Sequence, residues 1–278
     1  MTPLGIVADE INPDFAAAVR IGKRVGLARY EIRFLKTGRA PMCDLAELQE
    51  IQRIVDGEGL SITALSPGLF KWTAEPAEFQ REMAEVYPRA AEWAQRWHLP
   101  GLIVFGFRRP GATEENFATI PRTPRPPQIA QWMAAAANRA AADGLTLMIE
   151  PEPISWTDSA TATVALIRDT GAENLRINYD PGNVAWAQRR DPLDEFAVAA
   201  PWIANVHVKD LRWPVGREQR RPEFVPAGDG IIDFRAHAAA LRGIGYNGPV
   251  SLEPHIDGRE ETILRCKAAA QRVWQPPE

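Results

Sequence analysis

Four short segments each place a metal-type ligand directly after an apolar, strand-like run: Glu150 in LTLMIEPEP, Asp180 in LRINYDPGN, His207 in IANVHVKD and Glu253 in PVSLEPH. Three carboxylates brought together repel one another and raise their pKa values unless a cation lies between them. Oxygen-rich ligation with one imidazole suits Mn²⁺ first, with Mg²⁺ and Co²⁺ as alternatives, better than a closed, sulfur-rich zinc site. Four protein ligands would leave room on an octahedral ion for two adjacent substrate oxygens. Taken singly, each residue has a plainer reading. Glu150 and Glu253 suit salt bridges at buried strand ends, Asp180 before Pro-Gly-Asn suits a turn or helix cap, and His207 suits a hydrogen bond in the core. Their shared position at the ends of successive strands is what favours a metal centre.

Those residues need a scaffold that gathers strand ends. Apolar, β-branched runs predict strands at 4–8, 29–34, 61–65, 102–105, 145–149, 175–179, 203–208 and 250–252. Helical spacing falls between them at 13–25, 44–57, 76–98, 127–143, 159–169, 192–199, 234–243 and 260–273. The alternation predicts one (β/α)₈ TIM barrel spanning 1–278 as a single domain, with a doubly wound open sheet as the competitor. Two segments, 106–126 and 211–230, are too long for plain connectors and follow expected strand C-termini, the face on which barrels carry their sites. Trp72, Trp156, Trp186 and Trp213 fall just beyond strands three, five, six and seven. They are expected to rim one mouth and stack on a sugar ring or aryl group, or else to cap the barrel or bury a subunit contact.

Composition narrows the functional classes. The apolar fraction is 45% and the formal net charge −4, so nothing favours nucleic acid or an anionic membrane as partner. Cys43 and Cys266 stand far apart, which argues against a disulfide framework. No signal-peptide pattern or apolar run of membrane-spanning length is present, and the expectation is a cytoplasmic enzyme with a small-molecule substrate.

Further residues face the same end. Lys209 shares a strand face with His207 and is placed to neutralise a substrate anion, or to pair with Asp210. His255 shares a side with Glu253 and is expected to hydrogen-bond substrate or support a ligand. Arg33 in YEIRF is expected to grip a substrate hydroxyl or carboxylate, or to pair with Glu31 inside the barrel. Gly228-Asp229-Gly230 offers backbone N–H groups to a phosphate, or simply marks a tight turn.

MIEPEP, INYDPGNV, VHVKD, PAGDGIIDF and GYNGPVSLEPH together resemble the sugar phosphate isomerase/epimerase family of xylose isomerase-like barrels. The resemblance is close over the second half of the chain and rests on βα rhythm in the first. It implies Glu150, Asp180, His207 and Glu253 as ligands, with Glu150 and Glu253 doubling as the acid/base pair. Ketose 3-epimerases of this superfamily carry histidine where this chain has Asn183, so Asn183 is expected to bind substrate in its own way. The implied chemistry is removal of a proton beside a metal-bound carbonyl of a carbohydrate or cyclitol, giving an enediolate. Reprotonation leads to epimerisation or isomerisation. Loss of a β substituent leads instead to a keto-inositol-type dehydration or to release of an aglycone from an oxidised glycoside. The apurinic-site endonuclease of the same fold requires a histidine-rich zinc cluster, for which this chain's 4 histidines are too few. A non-catalytic sugar-binding barrel is the remaining class. Barrels of this family often associate, so the resemblance implies a homo-oligomer or partner subunit, with the arginine-rich loop 211–230 as interface or lid.

Overall fold

The computed structural model describes residues 3–121, 123–213 and 221–274. Eight strands form one parallel sheet: β1 Gly5–Val7, β2 Arg29–Ile32, β3 Ser61–Leu65, β4 Gly101–Phe105, β5 Thr146–Glu150, β6 Leu175–Tyr179, β7 Ile203–Val208 and β8 Val250–Leu252. Their order is β3-β2-β1-β8-β7-β6-β5-β4, so each strand pairs with its successor except β3 with β4, and β8 closes against β1. Across the remaining seam the Phe105 amide donates to the Leu69 carbonyl, just beyond β3. This is a nearly closed (β/α)₈ barrel, as the alternation of strand and helix patterns predicts. The open doubly wound sheet is excluded by the β1–β8 pairing.

The strands are buried along almost their whole length, because helices cover the outside and side chains fill the inside. Most of the core lies between strands and helices. Ala64, Ile103 and Met148 form a separate small cluster with Ala204 against it. Met148 shares its strand face with Glu150, so this cluster floors the barrel interior beneath the carboxylates.

Three local expectations need refinement. Of the turn and helix-cap readings of Asp180, the cap holds: it begins a helix over Pro181–Gln188 that was not expected, accepting from the Asn183 amide while Pro181 occupies the first turn. Helix 192–199 is replaced by a 3₁₀ turn at Leu193–Glu195 and a short helix at Phe196–Ala199. The helix expected over 76–98 is interrupted by a π turn, Glu82–Val86, between Pro76–Arg81 and Tyr87–Arg96.

The two long loops are tied to the rim. The loop after β4 is stitched to the loop after β5 by Arg109 N–H to the Ile154 carbonyl and Trp156 N–H to the Phe107 carbonyl. After β7, Asp210–Arg212 pairs antiparallel with Glu223–Val225. Within the expected lid or interface, residues 214–220 lie outside the described residues.

Candidate metal centre

Glu150, Asp180, His207 and Glu253 converge at the C-terminal mouth, all buried, each offering one donor atom within 4.8 Å of the others. β5, β6, β7 and β8 are adjacent, so one residue at or just past each strand end is enough to build the group. His207 Nδ1 lies 3.1 Å from Glu253, 3.8 Å from Glu150 and 3.9 Å from Asp180. Its other ring nitrogen, Nε2, is 2.9 Å from Glu31. That buried carboxylate holds the ring so that Nδ1 faces the cluster, the support a ligating histidine needs.

The two glutamates sit in opposite surroundings. Glu150 is held by neutral amides, accepting from Asn178 Nδ2 at 3.1 Å and Asn183 Nδ2 at 2.9 Å. Burial pushes its pKa up to about 7; Glu253 and Asp180 add to this, while His207 and Lys209 oppose it. Glu253 is clasped by cations: Arg33 Nη1 on one oxygen, and Lys209 Nζ 2.7 Å from the other. Burial raises its pKa too, but Lys209, His207, His255 and Arg33 together outweigh it and hold the carboxyl well below its ordinary value. Glu253 Oε2 is buried and faces Lys209 Nζ at 2.7 Å and His207 Nδ1 at 3.1 Å, so positive charge already gathers at this oxygen. With three carboxylates and a fixed imidazole nitrogen, the donor set fits a divalent ion.

Lys209 is fully buried and pairs with Asp180 at 2.8 Å, with Glu253, and with Asn183 Oδ1 at 3.0 Å. It does not pair with Asp210. Asp210 instead accepts the Gly228 and Gly230 amides at 2.8 and 3.0 Å, so Gly228-Asp229-Gly230 is a turn whose N–H groups are already used. Arg33 likewise leaves Glu31 to His207 and binds Asp9, Glu10 and Glu253.

A cavity of about 670 Å³ opens above the cluster. Arg33, Asn183, Trp186, Lys209, Glu253 and His255 line it. Trp72 and Trp156 are not among its lining residues: Trp72 is 52% exposed, and Trp156 packs against the core. Trp213 also packs on the core, with the Arg189 guanidinium over its ring. The rim of four tryptophans therefore reduces to Trp186; next to Trp72 it is Lys71 that lines the cavity, and in the Trp156 segment it is Glu152. Sequence reading missed Asp9 and Glu10 after β1, Lys71 after β3, Glu152 after β5 and Phe224 after β7. Glu152 repeats the Glu-Pro pattern of Glu150, which was a usable signal. Nothing local distinguished the others.

A family model described as "Xylose isomerase-like TIM barrel" matches residues 19–272. The chain belongs to the xylose isomerase-like TIM barrel family. A 3-dehydroshikimate dehydratase from Bacillus anthracis is 31% identical over 121 residues, covering 36% of this chain and 43% of the relative, so the match spans less than half of that protein. Among solved structures, the IolI protein with a bound zinc atom aligns with a TM-score of 0.75 at 16% identity, covering 99% of this chain and 98% of the other. The 3-keto-D-glucoside 4-epimerase YcjR from E. coli aligns with a TM-score of 0.71 at 17% identity, covering 98% and 99%. At such identities the structural likeness speaks for the fold. No helix among the described residues is long and apolar enough to cross a membrane.

Proposed function

We propose that this chain is a divalent-metal-dependent isomerase or epimerase of a ketose or related keto-polyol, with Glu150, Asp180, His207 and Glu253 holding the ion. The observation that carries this reading is the convergence of these four donors at neighbouring strand ends beneath a cavity of about 670 Å³. A bound Mn²⁺, or Mg²⁺ or Co²⁺ in its place, would polarise a substrate carbonyl and ease loss of the neighbouring proton. Glu150, steadied by two amides and drawn toward neutral pKa by burial, is suited to take that proton. Glu253, past the end of β8 and separated from β5 by β6 and β7, is the partner for returning one. Lys209 brings a fixed positive charge beside the reacting oxygens. Asn183, Arg33, His255 and Trp186 orient the substrate from the cavity wall.

A lyase on the same scaffold is the second reading, and two observations favour it. The partial relative is a dehydratase, and the cations around Glu253 keep it ionised, which suits it poorly to donate a proton. Glu150 alone would then serve an elimination. Incubation with Mn²⁺ in D₂O separates the two. Deuterium appearing beside the carbonyl of a ketose or keto-inositol, with all hydroxyls retained, supports isomerase or epimerase. Loss of water from 3-dehydroshikimate or a keto-inositol, followed by rising ultraviolet absorbance, supports the lyase. If neither substrate set exchanges or eliminates, both readings are lost.

A further inference from the structure

The cavity has two unlike sides. Loops after β1, β2, β3 and β5 contribute Asp9, Glu10, Arg33, Lys71 and Glu152, an ionic arc. Segments after β6, β7 and β8 contribute Trp186, Phe224 and His255, which touch in series, with the Arg221 guanidinium 6.0 Å from the centre of the Trp186 ring. Trp186 and Phe224 meet edge to face with centroids 5.8 Å apart, and Phe224 meets His255 in the same manner at 5.0 Å. Each ring of this wall is held. Trp186 stands three residues beyond Asn183 on one helix and is buttressed by Phe117 at 6.2 Å. Phe224 sits in the ribbon strand Glu223–Val225. The His255 backbone, in the left-handed region at φ 51°, donates to Glu10 at 2.7 Å, and its Nδ1 lies 2.9 Å from the same carboxylate.

We propose that Trp186, Phe224 and His255 form a specificity wall for the C–H face of a six-membered carbocycle or pyranose ring. This deepens the reading of the cavity as the substrate site, and rests on it. A ring of polyol character has a rigid face of C–H bonds and a rim of hydroxyls. The first matches a fixed aromatic surface and the second an arc of charged groups. An open-chain polyol has no such face, and freezing its rotors against the wall costs conformational entropy that a ring has already lost. Phe224 is the residue on which discrimination turns, since it joins the other two.

Saturation-transfer NMR tests this without turnover. The full chain with Mg²⁺ is irradiated in the aromatic region, with myo-inositol and D-sorbitol as inert ring and open-chain probes. The expected result is transfer to the inositol C–H protons several-fold above that to sorbitol, falling at least about fivefold in Phe224→Leu and restored in Phe224→Tyr. Trp186→Leu is expected to act likewise, and circular dichroism confirms that each variant is folded. Equal transfer to both probes, no transfer to inositol, or an unaltered response in folded Phe224→Leu would overturn the wall. Failure of the isomerase or lyase readings registers separately, in the deuterium and absorbance assays.

Discussion

Glu150 and Glu253 have the same residue type, the same place at a strand end and the same following proline, yet they meet different partners. Two asparagine amides hold Glu150, whereas Arg33 and Lys209 hold Glu253. Replacing Glu150 with Gln keeps its shape and removes its basicity, so turnover of any accepted substrate is expected to fall by about 10²–10⁴. Steady-state kinetics with metal saturating would check this, and an unchanged rate would remove Glu150 from the chemistry. Glu31 never touches the cavity, but it orients His207. Glu31→Ala is expected to weaken Mn²⁺ binding by roughly 10- to 100-fold, and Glu31→Gln by less, because the amide oxygen still accepts from Nε2. Calorimetric titration with Mn²⁺ reads both; equal affinities for wild type and Glu31→Ala would show that the ring needs no such support.

The helix Pro181–Gln188 carries both Asn183 and Trp186, so its seating fixes one side of the site. Gly182 packs directly on β7's continuation: a Cβ there would overlap the Lys209 carbonyl oxygen. Gly182→Ala is therefore expected to destabilise the fold by about 1–3 kcal/mol and to lower kcat/KM, seen together in a urea melt and in kinetics. A variant as stable as wild type would mean that the helix shifts freely. On the far side, the π turn Glu82–Val86 brings buried Glu82 onto the Phe70 amide at 2.8 Å. Burial raises this carboxyl from 4.5 to about 7, more than that hydrogen bond lowers it. A folded-state value above the unfolded one means that the group's contribution to stability is complete below about pH 4.5. It is lost as pH rises through about 7. Glu82→Gln keeps an acceptor for Phe70 and carries no charge. It is expected to gain up to about 3 kcal/mol over wild type at pH 8 and little at pH 4. Denaturant midpoints at the two pH values decide it; a gain independent of pH would refute the assignment.

At the scale of the whole molecule, the donor cluster joins β5, β6, β7 and β8 with β2 through Glu31, so an ion there would cross-link much of the barrel. Ligand held at a hundred times its Kd adds about 2.7 kcal/mol, worth roughly 5 °C in Tm for a chain of this size. Thermal melts with Mn²⁺ and after chelation are expected to differ by that amount, and coincident melts would count against the metal centre. Much of this was legible in the chain. Strand-like runs ending in Glu150, Asp180, His207 and Glu253 marked both the barrel and the donor cluster, because a ligand at a strand end is encoded by one residue following a local pattern. Arg33, Lys209 and Asp210 show the limit: each side chain had a partner within two residues in sequence and found others farther along the chain. The helix behind Asp180 was hidden for a related reason, since Asp-Pro-Gly-Asn is equally at home in a turn and at a helix start. The sequence by itself determined the strand rhythm, the four donors and their common face. Only the tertiary structure decided which charges neutralise which, that one glutamate rests on amides and the other on cations, and that Trp186 reaches the cavity while Trp72 and Trp156 do not. These depend on distances between separate loops around the closed sheet, and no local pattern of residues records them.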